Sequence, residues 1–158
     1  LRALDLSESE IKSGLESFEP IEGRLQLARE VNGVKIYNDN NATTPEATIA
    51  ALRAVGIQKN IVLIAGGSDK GLDMSKLVSE IKRSCKRVLL LSGKGTERLI
   101  SDLPEAQIFE SLESAVKSSL SAAKPGDVVL FSPAFASFGM FKNEYDRNDQ
   151  FMKLVQIL

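Results

Sequence analysis

From Thr44 onward the hydrophobic period of the chain switches repeatedly between two kinds of segment. Short apolar runs ("NIVLIAGG", "RVLLLSG", "AQIFE", "DVVLFSP") alternate with stretches whose apolar residues recur every three or four positions ("TPEATIAALRAV", "MSKLVSEIKRS", "TERLIS", "LESAVKSSLSAA", "RNDQFMKLVQIL"). The first kind reads as strands buried on both faces, the second as amphipathic helices. Strands joined through a helix run parallel, because a crossover returns the chain to the same end of the sheet. The predicted class is therefore α/β and Rossmann-like: a mostly parallel sheet with helices on both faces.

A different pattern precedes this alternation. "RLQLARE" and "VKIYND" flank Asn32-Gly33, a dipeptide that suits the positive φ angles of a two-residue hairpin turn. One antiparallel hairpin strand should therefore join the parallel sheet. Further upstream, "LSESEIKSGLESF" offers Ser7 as an N-cap and Glu10 three residues later, with Ile11, Leu15 and Phe18 at helical spacing. A helix is predicted over residues 7–18, and Pro20 and Gly23 break it. The expected division is a helix and linker over residues 1–22 and one α/β domain over residues 23–158. The chain opens without a Met, inside a helical pattern, and reads as a piece of a longer protein.

Composition removes several classes of function. Twenty basic and 21 acidic residues are interspersed and give a net charge of -1, so there is no footprint for nucleic acid or an anionic membrane. No run approaches the roughly 20 apolar residues of a membrane span, and the first residues lack the apolar core of a signal peptide. The chain contains no His and a single cysteine, Cys85. A Ser-His-Asp triad and an intrachain disulfide are thereby excluded, and a metal cluster could be built only from carboxylates. A reducing cytoplasm fits this usage. Neither the G-x-x-x-x-G-K-[ST] phosphate loop nor the G-x-G-x-x-G dinucleotide fingerprint is present.

In parallel sheets, ligands gather beyond the carboxyl ends of the strands, so the turns that follow strands carry the functional information. In "NDNNATTPEA", Thr44 and Pro45 suit the cap and first position of a helix. Asp39, Asn40, Asn41 and Thr43 are then left, either as a self-bonded polar loop or as a cluster aimed at a ligand. "GGSDKGLD" places Lys70 in a glycine-rich turn, either solvated or facing an anion, with Asp73 as the expected cap of the next helix. "SGKGTE" reads as ordinary turn chemistry. In "SPAFASFGMFKN", Ser132 and Pro133 end a strand and Ala134 and Ala136 permit close backbone approach. Ser137 offers a hydroxyl for hydrogen bonding, whereas Phe135, Phe138, Met140 and Phe141 read mostly as core and helix-packing residues.

Taken in order and at these separations, "NDNNATTPEATIAAL", "GGSDKGLDM" and "SPAFASFGMFKNEYDRNDQF" closely resemble the C-terminal domain of the Mur ligases, and within that family the branch that adds D-glutamate. The similarity runs from about Arg24 to the end, and the preceding helix resembles the end of the family's central, ATP-binding domain. The resemblance implies ATP- and Mg2+-dependent joining of D-glutamate to UDP-N-acetylmuramoyl-L-alanine through an acyl phosphate, in peptidoglycan synthesis. It places the phosphate loop and metal ligands in the central domain and the uridine nucleotide in the N-terminal domain, both upstream in the same chain. This chain then carries no catalytic residue and no metal ligand, is inactive by itself, and belongs to a monomeric enzyme. By motif, Lys70 would pair with the distal carboxylate of D-glutamate, helped by Thr43 and Ser137, with Phe138 and the backbone at Glu144 closing on the same side chain. Arg24 would reach ATP phosphate and Asp39 its ribose, with Asn41 beside them. Two positions depart from the family: Asn41 stands where a lysine is common, and Glu144 where an aromatic residue is usual. A sister ligase of the Mur or folylpolyglutamate type, and a binding module without catalysis, are the alternatives.

Overall fold

The computed structural model describes residues 6–18 and 20–158. Residues 1–5 and 19, which belong to the expected N-terminal helix-and-linker segment, lie outside the described residues. Helix α1 (Glu8–Glu16) begins with the predicted capping box: Ser7 Oγ accepts from the Glu10 N–H at 3.3 Å, and the Glu10 carboxylate accepts from the Ser7 N–H at 2.8 Å. The helix buries none of its residues, and Leu15 and Phe18 lie exposed.

Strands β1 (Gln26–Val31) and β2 (Val34–Asn38) form the predicted hairpin, with Asn32 and Gly33 at φ 51° and 76°. The alternation follows as α2 (Pro45–Val55), β3 (Ile61–Gly66), α3 (Ser75–Ser84), β4 (Cys85–Leu91), α4 (Lys94–Ile100), β5 (Gln107–Phe109), α5 (Leu112–Ala122), β6 (Val128–Phe131) and α6 (Glu144–Gln156). The six strands lie in the order β1-β2-β6-β3-β4-β5, and only β1 and β2 pair antiparallel. Strand β6 sits between β2 and β3, with Val128 opposite both Lys35 and Ile61, and Phe131 opposite both Asn38 and Ile64.

Strands β3 and β6 are buried along their whole length, as continuous apolar runs between two helical layers must be. Because successive side chains alternate faces, Leu63, Ala65 and Leu130 pack with Leu52 of α2, Leu77 and Ile81 of α3 and Leu99 of α4. Val62, Ile64, Val129 and Phe131 pack on the other face with Val116 of α5 and Phe151 and Val155 of α6. Phe131 and Phe151 stack with ring centroids 4.4 Å apart. Each such side chain contributes about 1.5–3 kcal/mol by leaving water, which makes the two layers a firm platform for the loops above them.

Several element starts differ from the sequence reading. Helix α6 begins at Glu144 rather than Arg147, because Asn143 Oδ1 accepts from the Asp146 N–H at 2.9 Å and starts the helix there. Helix α3 takes Met74 as its N-cap without a side-chain cap bond. Asp73, the expected cap, instead accepts from the Ser75 N–H at 3.0 Å and from Ser75 Oγ at 2.8 Å. Strand β4 starts at Cys85, whose buried thiol is pushed up to about 12 by loss of solvent.

Candidate functional site

At the carboxyl ends of β2, β3 and β6, three segments converge: the loop of residues 39–44, the loop of 67–74 and the turn of 132–143. Together with Arg24 and the first turn of α6 they enclose an open cleft of about 350 Å³. Arg24, Asn41, Thr43, Lys70, Ser137, Phe138 and Glu144 all line it, joined by Ala136 and Tyr145. A cleft of similar size near the start of β4 is lined by Lys59, Ile81, Cys85 and Leu103. It lies at the amino ends of the strands, where none of the sequence-derived candidates converge.

Lys70 is presented by a braced loop. Gly67 lies against the 132–143 turn so closely that a Cβ would fall 2.4 Å from the Ala136 carbonyl oxygen, at a φ of +142° that side chains disfavour. The Ser68 N–H donates to the Ala136 carbonyl at 3.0 Å, and Ser68 Oγ donates to the Phe138 carbonyl. Asp69 accepts from the Gly71 N–H at 2.9 Å and from Arg98 Nη1 at 2.6 Å, and these bonds hold its carboxyl below the usual range. So fixed, Lys70 reaches across to the 39–44 loop, where Nζ donates to the Thr43 carbonyl and to Thr43 Oγ1, both at 3.1 Å. Both partners are neutral acceptors. An ammonium has three donors, so this geometry leaves one for an anion and leaves the Thr43 hydroxyl hydrogen free to join it.

The facing wall comes from the turn after β6. Phe135 is fully buried, and a Cβ at Gly95 would fall 2.3 Å from its ring, so the glycines of "SGKGTE" serve packing, in keeping with the turn reading. Phe141 is buried too, but Phe138 is 64% exposed and flanks the cleft with Tyr145 instead of joining the core. Ser137 is nearly buried at the cleft wall. Helix α6 points its N-terminus at this wall, and its first-turn N–H groups, including that of Glu144, have no intrahelical acceptor and carry the positive end of the helix dipole.

Asp39 does not line the cleft. It is 7% exposed and stands behind the cleft, its Oδ1 accepting from the Leu25 N–H at 3.0 Å and its Oδ2 from Ser132 Oγ at 2.7 Å. Burial pushes its carboxyl above the usual range, and these two bonds oppose the shift only in part. Through Leu25, Asp39 fixes the backbone that carries Arg24. Thr44 caps α2 as predicted, accepting from the Ala47 N–H.

Two residues frame the site from behind: Asn40, which the sequence offered only as one of the polar cluster of residues 39–43, and Arg147, which it did not single out. Arg147, on the first turn of α6, is completely buried and makes no ion pair among the described residues. Its guanidinium donates from Nε to Asn40 Oδ1 at 2.7 Å, from Nη2 to the Asn40 carbonyl at 2.8 Å and from Nη1 to the Phe135 carbonyl at 3.2 Å. Burial pushes its pKa down to about 10, which still leaves it charged at neutral pH. Asn40 in turn donates from Nδ2 to the Glu144 carbonyl at 2.9 Å and to Asn41 Oδ1 at 3.2 Å. The only signals available were the placement of Asn40 in a polar turn and of Arg147 one helical turn after an Asn cap.

Among the described residues no group of three or more His, Cys, Asp or Glu could hold a metal ion, and no helix is long and apolar enough to cross a membrane.

Comparison with known proteins agrees with this architecture. Residues 23–135 match the family described as Mur ligase, glutamate ligase domain. The chain is 43% identical over 153 residues to the UDP-N-acetylmuramoylalanine–D-glutamate ligase of Roseiflexus sp. (strain RS-1), covering 92% of this chain and 32% of that protein. To the ligase of the same name from Borreliella afzelii (strain PKo) it is 41% identical over 149 residues, 91% of this chain and 33% of that one. The chain thus spans about a third of the length of these relatives. Among solved structures, it superposes on the bifunctional folylpolyglutamate synthase/dihydrofolate synthase of Yersinia pestis CO92 with a TM-score of 0.67 and 18% identity, covering 96% of this chain and 35% of that one. It superposes on the MurF ligase of Thermotoga maritima in complex with ADP with a TM-score of 0.61 and 22% identity, covering 99% and 36%. At those identities the likeness is one of fold. With the family match over most of its length and close relatives of a single name, the chain belongs to the Mur ligase family, as its glutamate ligase domain.

Proposed function

We propose that this chain is the amino-acid-bearing domain of a cytoplasmic, ATP-dependent ligase that joins D-glutamate to UDP-N-acetylmuramoyl-L-alanine in peptidoglycan synthesis. The observation that carries the proposal is the posture of Lys70: a cation held by Thr43 over a cleft, with Ser137 on the opposite wall and no carboxylate partner among the described residues. The distal carboxylate of D-glutamate fits there, taking one charge-assisted bond from Lys70 and neutral bonds from the Thr43 and Ser137 hydroxyls. The free N–H of Glu144 and the N-terminal dipole of α6 add to the same site, while Phe138 and Tyr145 shield its rim. The name shared by the sequence relatives supports D-glutamate as the amino acid.

ATP supplies the phosphoryl group that activates the acceptor carboxylate. The residues here fit that molecule only at its edge: Arg24 offers a cation at the cleft margin with Asn41 beside it, and Asp39, from behind the cleft, holds the backbone that carries Arg24. They do not fit a metal: among the described residues no three His, Cys, Asp or Glu come together to hold one. The contribution of this chain is placement: fixing the side chain of D-glutamate presents its amine, and holding a nucleophile in position removes much of the entropic cost of a two-substrate reaction. On this reading the chain by itself has no group that activates a carboxylate.

A contact with the distal carboxylate is made equally in the ground and transition states, so its loss raises KM more than it lowers kcat. In the complete ligase, Lys70→Ala should raise the KM for D-glutamate by about ten- to a hundredfold, the scale of a charged hydrogen bond. Ser137→Ala should raise it less, and Arg24→Ala should raise the KM for ATP instead. Steady-state kinetics with each substrate varied in turn decides this. A Lys70→Ala enzyme with an unchanged D-glutamate KM and an elevated ATP KM would make "GGSDKG" a nucleotide loop.

A further inference from the structure

We propose that Asn40 and Arg147 form a single positioning unit that sets the separation of the two cleft walls, and through it the recognition of the amino-acid substrate, without touching that substrate. The inference rests on the reading of the cleft as the amino-acid site. Arg147 is fully buried yet spends its donors on neutral oxygens only. A buried guanidinium whose purpose was stability alone would be better served by a carboxylate, and the residue that receives two of its bonds is an amide. What an amide adds is donors. Asn40 Oδ1 accepts from Arg147 while its Nδ2 donates onward to the Glu144 carbonyl and to Asn41 Oδ1, and its main-chain N–H donates to Asn38 Oδ1 at 3.1 Å.

The direction of these bonds matters. The loop of residues 39–44, which carries Thr43 and thereby Lys70, is tied by Asn40 to the first turn of α6, which carries Glu144. The turn after β6, which carries Ser137, is tied to the same helix by the bond from Arg147 to the Phe135 carbonyl. Three of the four segments that supply proposed contacts to the amino acid therefore meet at one buried pair, and the fourth, which carries Lys70, joins them through Thr43. Because Arg147 lies one turn into α6, its planar fork fixes both the tilt and the depth of the helix N-terminus, and hence where the Glu144 N–H points.

The test uses two substitutions in the complete ligase. Asn40→Asp is nearly isosteric and gives Arg147 a counter-charge, so the pair itself survives, but it turns the two donors facing the Glu144 carbonyl and Asn41 Oδ1 into acceptors. Arg147→Lys keeps the charge and loses the fork. For a positioning unit, Asn40→Asp should raise the KM for D-glutamate about tenfold, the equivalent of one or two neutral hydrogen bonds, with the ATP KM within about twofold of the parent. Arg147→Lys should show the same selectivity, with a lowered melting temperature. Elevation of both KM values by the same factor, or loss of thermal stability with an unchanged D-glutamate KM in Asn40→Asp, would reduce the pair to a structural role and overturn the inference. Lys70→Ala measured in parallel separates the two levels. If it leaves the D-glutamate KM unchanged, the site reading fails; if it raises that KM while Asn40→Asp does not, only the positioning unit fails.

Discussion

Asp39 shows how one carboxylate can hold a site in place at a cost to the fold. Its carboxyl lies above the usual range because burial disfavours the charged form more than the Ser132 and Leu25 bonds favour it. A group whose folded pKa exceeds its unfolded value stabilises most at low pH, and that contribution is lost as pH rises through the folded value. Asp39→Asn keeps the shape, accepts from the Leu25 N–H and can donate to Ser132, but never ionises. The variant should therefore gain stability relative to the parent as pH rises from about 3 to 7, across the ordinary carboxylate range. Urea midpoints measured at intervals over that range check this, and a difference that stays flat or falls would show that Asp39 is not strained by its charge. At this scale the sequence was partly legible. Lys70, Thr43 and Ser137 stand directly after strands, where a sheet gathers ligands, and they do meet in one cleft. Asp39 lies in the same loop but behind the cleft, bonded to Leu25 and Ser132. Arg147 escaped, and Asn40 was seen only as one of a polar cluster, because bonds from a guanidinium to carbonyl oxygens 107 positions away impose no spacing or residue type that a single sequence displays.

Strands and helices were legible wherever the apolar period was long, and helix starts where a Ser or Thr cap announces them, as at Ser7 and Thr44, but not where the cap has no such signature. The Asn143 cap of α6 lies within a run of aromatic and polar residues where several positions could serve, and the structure chooses the one that brings Arg147 inside. The short α4 begins at Lys94, before the expected Thr96, on a glycine cap that leaves no side-chain signature. Its second residue, Gly95, is nevertheless fixed by packing: a methyl group there would overlap the Phe135 ring and approach the Gly67 carbonyl to 2.8 Å. Gly95→Ala should therefore destabilise the domain by about 1–3 kcal/mol or more, the range for forcing extra carbon into a filled core. Because Phe135 also accepts from Arg147 through its carbonyl, displacing the ring should disturb the cleft as well. Equilibrium denaturation measures the first effect. A variant as stable as the parent would mean that the ring has room to rotate aside.

Across the whole molecule, class and layering followed from alternation alone, but the strand order did not, since periodicity says which segments are strands and nothing about which neighbours they choose. The order that forms places β6, the last strand in the sequence, at the middle of the sheet. This has a consequence for the life of the chain on the ribosome. Until Phe131 has emerged, the hairpin β1–β2 and the unit β3–β4–β5 can each pair internally, but their facing edges, Lys35–Asn38 and Ile61–Ile64, have no partner. Open strand edges template association between chains, so this stretch of synthesis is the hazardous one, and the final strand closes two half-sheets in a single step. A fragment of residues 1–124 should accordingly elute as oligomers and melt without a cooperative transition, whereas a monomeric, sharply melting fragment would show that the two halves stand alone. If they do not, a nascent chain stalled short of β6 has two adhesive edges, and helper proteins that shield exposed strands in the cell would act on it during that interval rather than after release.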